Sequence, residues 1–173
     1  LDDTRSSAVL RESEAKVQNL EAMIARLKAE AYGKELSFPK NVSNELRQRE
    51  HAAYVARRRA VTDAVSSLTA SKAALDKEIE ITAPMVAQGV VSEVELLRMR
   101  RQSSELTLQI TERRNRYMAD ANNELVQAES ELAQAKENMA MRADPVDRSQ
   151  IRAPMRGIVK DIQINTVGGV VNV

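Results

Sequence analysis

Apolar residues recur along most of this chain every three to four positions, in the a/d alternation of a coiled coil. Leu10, Val17, Leu20, Ile24, Leu27 and Ala31 carry the pattern first and predict a helix over about 5–31. Asp3 or Thr4 is placed to cap it, since a short side-chain oxygen accepts from the free N–H groups of the first turn. The pattern stops at Gly33 to Asn41, where Gly33 and Pro39 flank Leu36 and Phe38. That stretch reads as a mostly extended loop tacked down by Phe38. A second helix follows over 42–87, starting near Asn41 or Ser43. Its stripe is Tyr54, Val61, Leu68 and Leu75, with Ala64, Val65 and Ile79 beside it. A third helix follows over 93–143. Leu97, Leu108, Met118, Leu125, Leu132 and Met139 form its expected core face, with Ala121, Ala128 and Ala135 allowing close approach. Asp144 and Pro145 are expected to end it, because proline disfavours a helical residue before it.

The break between the second and third helices carries the most information. Pro84 lacks an N–H, so the second helix should kink or finish there. Gly89 can take the left-handed conformation that closes a helix. Ser92 and Glu95 make an S-x-x-E capping box, the signature of a new start. The chain therefore goes up one long helix, turns within a few residues and returns along another. Met85, Val86, Val90 and Val91 sit at this tip with little chain nearby to bury them, which suits docking better than chemistry.

Helix lengths constrain the arrangement further. At about 1.5 Å per residue the second and third helices are of similar length, and the first cannot be stacked end to end on the second. The first helix should rise, the loop should run part-way back, and the second helix should climb alongside.

Past Ser149 the period changes. Ile151-Arg-Ala-Pro-Met-Arg-Gly-Ile-Val reads as strand, turn and strand, and Thr166-Val-Gly-Gly as a further turn before Val170-Val171. These strands lack partners within the chain, so the β domain is expected to be completed from outside it. The abrupt start at Leu-Asp-Asp-Thr and the stop at Val-Asn-Val read the same way, as a segment of a longer protein.

Composition narrows the function classes. Of 173 residues 29% are charged and only 2% aromatic, too few rings for an ordinary globular core. The 26 basic and 25 acidic residues nearly cancel, so the clusters Arg57–Arg59, Arg98–Arg101 and Arg113–Arg116 read as solvated faces or lateral ion pairs rather than a nucleic-acid site. With no cysteine and a single histidine, His51, neither a thiolate or multi-histidine metal site nor a histidine triad can be built. No enzyme activity and no cofactor are expected. Lys160 has no Met-Lys-Met or Asp-Lys-Ala context, so no lipoyl or biotinyl attachment is expected either. No run of 18 apolar residues occurs, so any membrane anchor lies outside this chain.

Three motifs carry a family resemblance: Leu1-Asp-Asp-Thr, the segment Pro84-Met-Val-Ala-Gln-Gly-Val-Val-Ser-Glu-Val-Glu-Leu-Leu-Arg, and Ile151-Arg-Ala-Pro-Met-Arg-Gly-Ile-Val with Thr166-Val-Gly-Gly-Val-Val. Together they resemble HlyD-type membrane fusion proteins, the periplasmic adaptors of type I secretion systems. The resemblance implies a mainly α fold: a long antiparallel coiled-coil hairpin with an extra N-terminal helix and a partial lipoyl-like β segment. Residues 1–3 would leave the first lipoyl-like half, 4–148 form the helical domain, and 149–173 re-enter the second half. It also implies a periplasmic location, a hexameric ring of copies, and two partners: an inner-membrane ABC transporter and a TolC-like outer-membrane channel. A drug-efflux adaptor shares the layout, and a plain coiled-coil scaffold shares the helices. The docking residues implied at the tip 84–92 are Met85, Val86, Gln88, Gly89, Val90, Val91 and Ser92. Family tips carry Arg, Leu and Ser at fixed spacing. Here Ser92 and Met85 occupy the Ser and Leu positions, and Ile81 stands where the Arg would be.

Overall fold

The computed structural model describes residues 3–149, and among these the protein is mainly helical, with three helices and no strand. Helix α1 spans Asp3–Tyr32, α2 spans Asn44–Ala87 and α3 spans Glu93–Ser149. The strands and turns expected over 150–173 lie outside the described residues, as does the start of the Leu1-Asp-Asp-Thr motif. Helix α3 runs on through Asp144 and Pro145, which were expected to stop it. A proline removes one ladder hydrogen bond but leaves those beyond it, so a helix can carry through at a local cost.

Packing falls into two units. The smaller joins α1 up to Val17 with α3 from Leu132. There Val17 and Ala135 are buried, and Arg142 Nη1 donates to Ser13 Oγ at 3.0 Å.

The larger unit runs from Gln18 to Glu131. Gly33, at φ +63°, ends α1 in the left-handed conformation that glycine tolerates. The chain then returns beside α1: Asn41 donates to Glu21, and Val42 is buried at 3% exposure. Phe38 and Leu36 are only half-buried, so Val42 is the firmer anchor. Arg47 Nη2 donates to the Pro39 and Lys40 carbonyls, tying the loop to the start of α2. Ser43 caps α2, its side chain accepting from the Leu46 N–H at 3.4 Å.

Partners between α1 and α2 advance together, Arg26 with Glu50 and then Glu30 with Arg57, so the two helices run parallel. This is the fold-back that the helix lengths require. Helices α2 and α3 run antiparallel, Arg57 meeting Glu124 and Asp76 meeting Ser103.

The α2 stripe read from sequence faces inward: Val65 is buried, and Tyr54, Val61, Ala64, Leu68, Leu75 and Ile79 are half-buried. The α3 stripe needs correction. Leu125, Ala121 and Ala128 are buried, but Leu97, Leu108 and Met118 are exposed at 56%, 57% and 42%. Toward the turn the inward face is Leu96, Met99 and Ser103, then half-buried Leu106, Ile110 and Tyr117. The seam shifts phase between Tyr117 and Ala121, a four-residue step where a strict heptad offers three. A stripe extrapolated backwards from Leu125 by sevens therefore lands on the wrong face.

Candidate functional site

Two places in the larger unit combine unusual geometry with specific side chains. The first is the turn at 84–92. Helix α2 passes through Pro84 and ends at Ala87, with the Gln88 N–H on the Pro84 carbonyl at 3.2 Å. The Val90 N–H reaches the Met85 carbonyl and the Gly89 N–H reaches the Val86 carbonyl, both at 2.9 Å. These are the two crossed bonds of a Schellman closure, and they need a left-handed residue at Gly89, where φ is +73°. Ser92 then opens α3, its Oγ accepting from the Val94 N–H at 3.3 Å. The reciprocal half of the expected capping box is absent, because the Glu95 carboxylate accepts from Arg98 Nη1 at 3.1 Å. The turn is thus tightly bonded in its backbone.

Its side chains are another matter. Val90 is 71% exposed and Met85 40%, and Gln88, Gly89 and Ser92 are also exposed. Val86 and Val91 are half-buried, so their role is shared with packing. Ile81, Val94 and Leu97 add exposed apolar surface that the sequence reading did not assign to the site. Leu96, next to Leu97 in the chain, takes the buried position instead.

The second place is a charged junction touching all three helices. Arg26 donates to Glu50 Oε2 at 2.8 Å and to Glu30 Oε1 at 3.0 Å. Arg57 Nε lies 3.3 Å from Glu30 Oε2, and its two terminal nitrogens grip Glu124 at 2.9 Å each. Arg49 extends the chain outward to Glu50 at 3.2 Å. Arg26, Glu30 and Glu50 are 6%, 3% and 7% exposed, so the centre is dry. Burial opposes the charge on Arg26, but the hydrogen bonds it donates to Glu50 and Glu30 outweigh it and hold the guanidinium ionised. The Arg57 hydrogen bonds hold Glu124 below the usual carboxylate range, against its partial burial. Tyr117 stands beside this network with its hydroxyl buried and without a hydrogen-bond partner. Burial, followed by the nearby Glu30 charge, pushes it up to about 12.

Every buried charge here is matched by an opposite one, which is the arrangement of a structural clamp between helices. The sequence did carry a signal for it: Glu50 and Arg57 are seven apart on α2, as are Tyr117 and Glu124 on α3, so polar groups occupy seam positions. Among the described residues no group of three His, Cys, Asp or Glu side chains is placed to hold a metal ion. None of the described helices is long and apolar enough to cross a membrane.

Comparison with protein-family models, with characterised proteins and with solved structures returned no match for this chain.

Proposed function

We propose that this chain is the helical arm of a HlyD-type periplasmic adaptor, linking an inner-membrane ABC transporter to a TolC-like outer-membrane channel for type I protein secretion. In this reading α2 and α3 form the coiled-coil hairpin, α1 is the extra helix, and the residues after Ser149 re-enter a lipoyl-like domain. Copies arranged in a ring would bring several tips together against the channel end. The observation that carries the reading is the turn itself: Val90, 71% exposed, stands on a backbone fixed by the Gly89 closure and the Ser92 cap. An apolar group presented on an already ordered turn loses little further freedom on binding, so its burial goes into affinity. The mechanism is geometric: the tip seats on the channel and stabilises its open end.

The test is cargo export in cells carrying the full-length protein with Val90→Asp. Export should fall to background while helix content and protein level stay unchanged, and Val90→Cys should cross-link to the channel. Normal export from Val90→Asp, with no cross-link, would remove the docking role and leave the scaffold reading. Identifying the co-encoded transporter separates protein secretion from drug efflux.

A further inference from the structure

The three-helix packing stops where α1 ends, and a groove begins there. It is open to the surface and has a volume of about 680 Å³ along α2 and α3. Val61, Val65, Ala70 and Ala73 line it from α2, with the hydroxyl residues Thr62, Ser66 and Thr69 among them, and Tyr117 lines it from α3. Arg58 and Arg114, both exposed, line it as well. We propose that this groove seats an amphipathic helix of a partner protein, with small apolar residues inward and a carboxylate for Arg58 and Arg114.

Continuity with an existing interface argues for a helix. A second pocket, formed by Ala29, Glu30 and the Gly33–Leu36 segment against α2, shares Arg58 and Tyr117 with the groove. The groove therefore prolongs the trough in which α1 lies. The parallel contacts of α1 with α2 climb as far as Glu30 with Arg57, and the groove starts at the next residue. From Val61 to Ala73 the α2 backbone covers about 18 Å, or about three turns of a helix lying alongside.

The occupied part of the trough shows what chemistry fits the vacant part. Helix α1 presents buried Leu27 and Ala29 and sends Glu30 to Arg57. The groove repeats that offer with Val61, Val65 and two alanines, with Arg58 at the end nearest α1 and Arg114 across from them on α3. Neither arginine is paired with a carboxylate among the described residues: Arg58 donates to the Tyr54 hydroxyl at 3.2 Å and lies over the Tyr54 ring. The buried Tyr117 hydroxyl is unpartnered as well. An acidic helix would supply acceptors to both exposed guanidiniums, Arg58 and Arg114. The site is separate from the turn at 84–92 and does not depend on docking there.

The test uses the full chain and a panel of synthetic amphipathic helical peptides of about four turns. Each has an inner face of Ala, Leu or Ser and two flanking Glu residues, and each has a twin with Lys in their place. Fluorescence anisotropy should show saturable binding of at least one Glu peptide, with its Lys twin weaker by about two- to fivefold for each charge replaced. Ala70→Trp and Ala73→Trp fill the groove from exposed positions and should abolish binding with circular dichroism and melting unchanged. The double change Arg58→Glu and Arg114→Glu should reverse the preference toward Lys peptides. No saturable binder in the panel, binding indifferent to peptide charge, or binding that survives Ala70→Trp would each overturn the proposal. A self-associated form in sedimentation equilibrium that Ala70→Trp dissociates would assign the groove to a second copy and overturn the partner.

Discussion

Arg57 on α2 grips Glu124 on α3 with two parallel hydrogen bonds, Nη1 to Oε2 and Nη2 to Oε1, both 2.9 Å long. The fork geometry fixes the two helices along their axes as well as across them, which a single lysine contact would not do. Closer to the turn, Ser103 donates to Asp76, which Lys72 also holds, in the same antiparallel register. Both carboxylates are held below their ordinary values, 4.5 for Glu124 by Arg57 and 3.8 for Asp76 by Lys72 and then Ser103. A carboxylate depressed in the folded state contributes stability in full above its unfolded pKa, and that stability is lost as pH falls through the folded one. Melting temperature should therefore hold steady from neutral pH down to about 5 and fall below it. Glu124→Gln should lower stability at pH 7 by about 1 kcal/mol, a small value because the pair is partly solvated. It should also make the acid fall shallower, as read by thermal melts across a pH series.

The dry centre of the junction should respond far more strongly. Arg26→Met leaves Glu30 and Glu50, both buried, each without one cation. Removing one partner of a buried ion pair costs about 3–5 kcal/mol. Replacing Arg26, Glu30 and Glu50 together by Met, Leu and Leu should recover most of that loss, since no uncompensated charge remains. Urea unfolding of the single and triple variants gives both values. Equal destabilisation by the two would mean that packing, not charge pairing, sets the energy here.

The corrected phase of α3 makes a sharp comparison. Leu27 and Leu125 are fully buried, whereas Leu97 and Leu108 are more than half exposed. Leu27→Ala and Leu125→Ala should each cost about 2–5 kcal/mol. Leu97→Ala and Leu108→Ala should stay within about 0.5 kcal/mol, as surface changes do. Denaturant midpoints at constant m-value check all four.

Much of this was legible in the residues. Gly33 and Gly89 marked two helix ends because left-handed backbone narrows the choice of residue so strongly, and Ser92 marked a start for the same kind of local reason. The α2 stripe was legible because its apolar residues keep one phase. The α3 stripe was not, because the step between Tyr117 and Ala121 cannot be located from Leu and Met spacing when leucines occur on both faces. The junction was missed because arginine and glutamate are common on any solvated helix. Only their recurrence at seam positions set Glu50, Arg57 and Glu124 apart, and that becomes visible once the seam is known. The α3 end lies beyond Pro145 because a proline costs a helix one ladder bond without stopping it outright.

The turn offers a backbone prediction. At Gly89 a Cβ would meet nothing within 4 Å, so Gly89→Ala is penalised only by its φ of +73°. A left-handed alanine costs about 1–2 kcal/mol. Ser92→Ala, losing the bond from the Val94 N–H, should cost about 1 kcal/mol. Both losses should appear first as faster amide exchange over the turn, ahead of any change at the junction. Gly89→Asn should fall between wild type and Gly89→Ala, because asparagine tolerates the left-handed region better than alanine.

Tyr117 supplies a prediction with the opposite sign in pH. Its hydroxyl is buried without a partner, and burial with the Glu30 charge pushes its pKa from 10.0 up to about 12. The folded state therefore keeps the phenol protonated where the unfolded chain would release it. A raised pKa means that this contribution is complete below the unfolded value and is lost as pH rises toward the folded one. Stability should decline from about pH 10 upward, and part of that decline should vanish in Tyr117→Phe. The same change removes an unsatisfied buried oxygen while keeping the ring, so at pH 7 it should be neutral or stabilising by about 1 kcal/mol. Phenolate absorbance during an alkaline titration should show one tyrosine titrating late, and the late step should be missing from Tyr117→Phe. A destabilised Tyr117→Phe at neutral pH would mean that the hydroxyl has an acceptor after all.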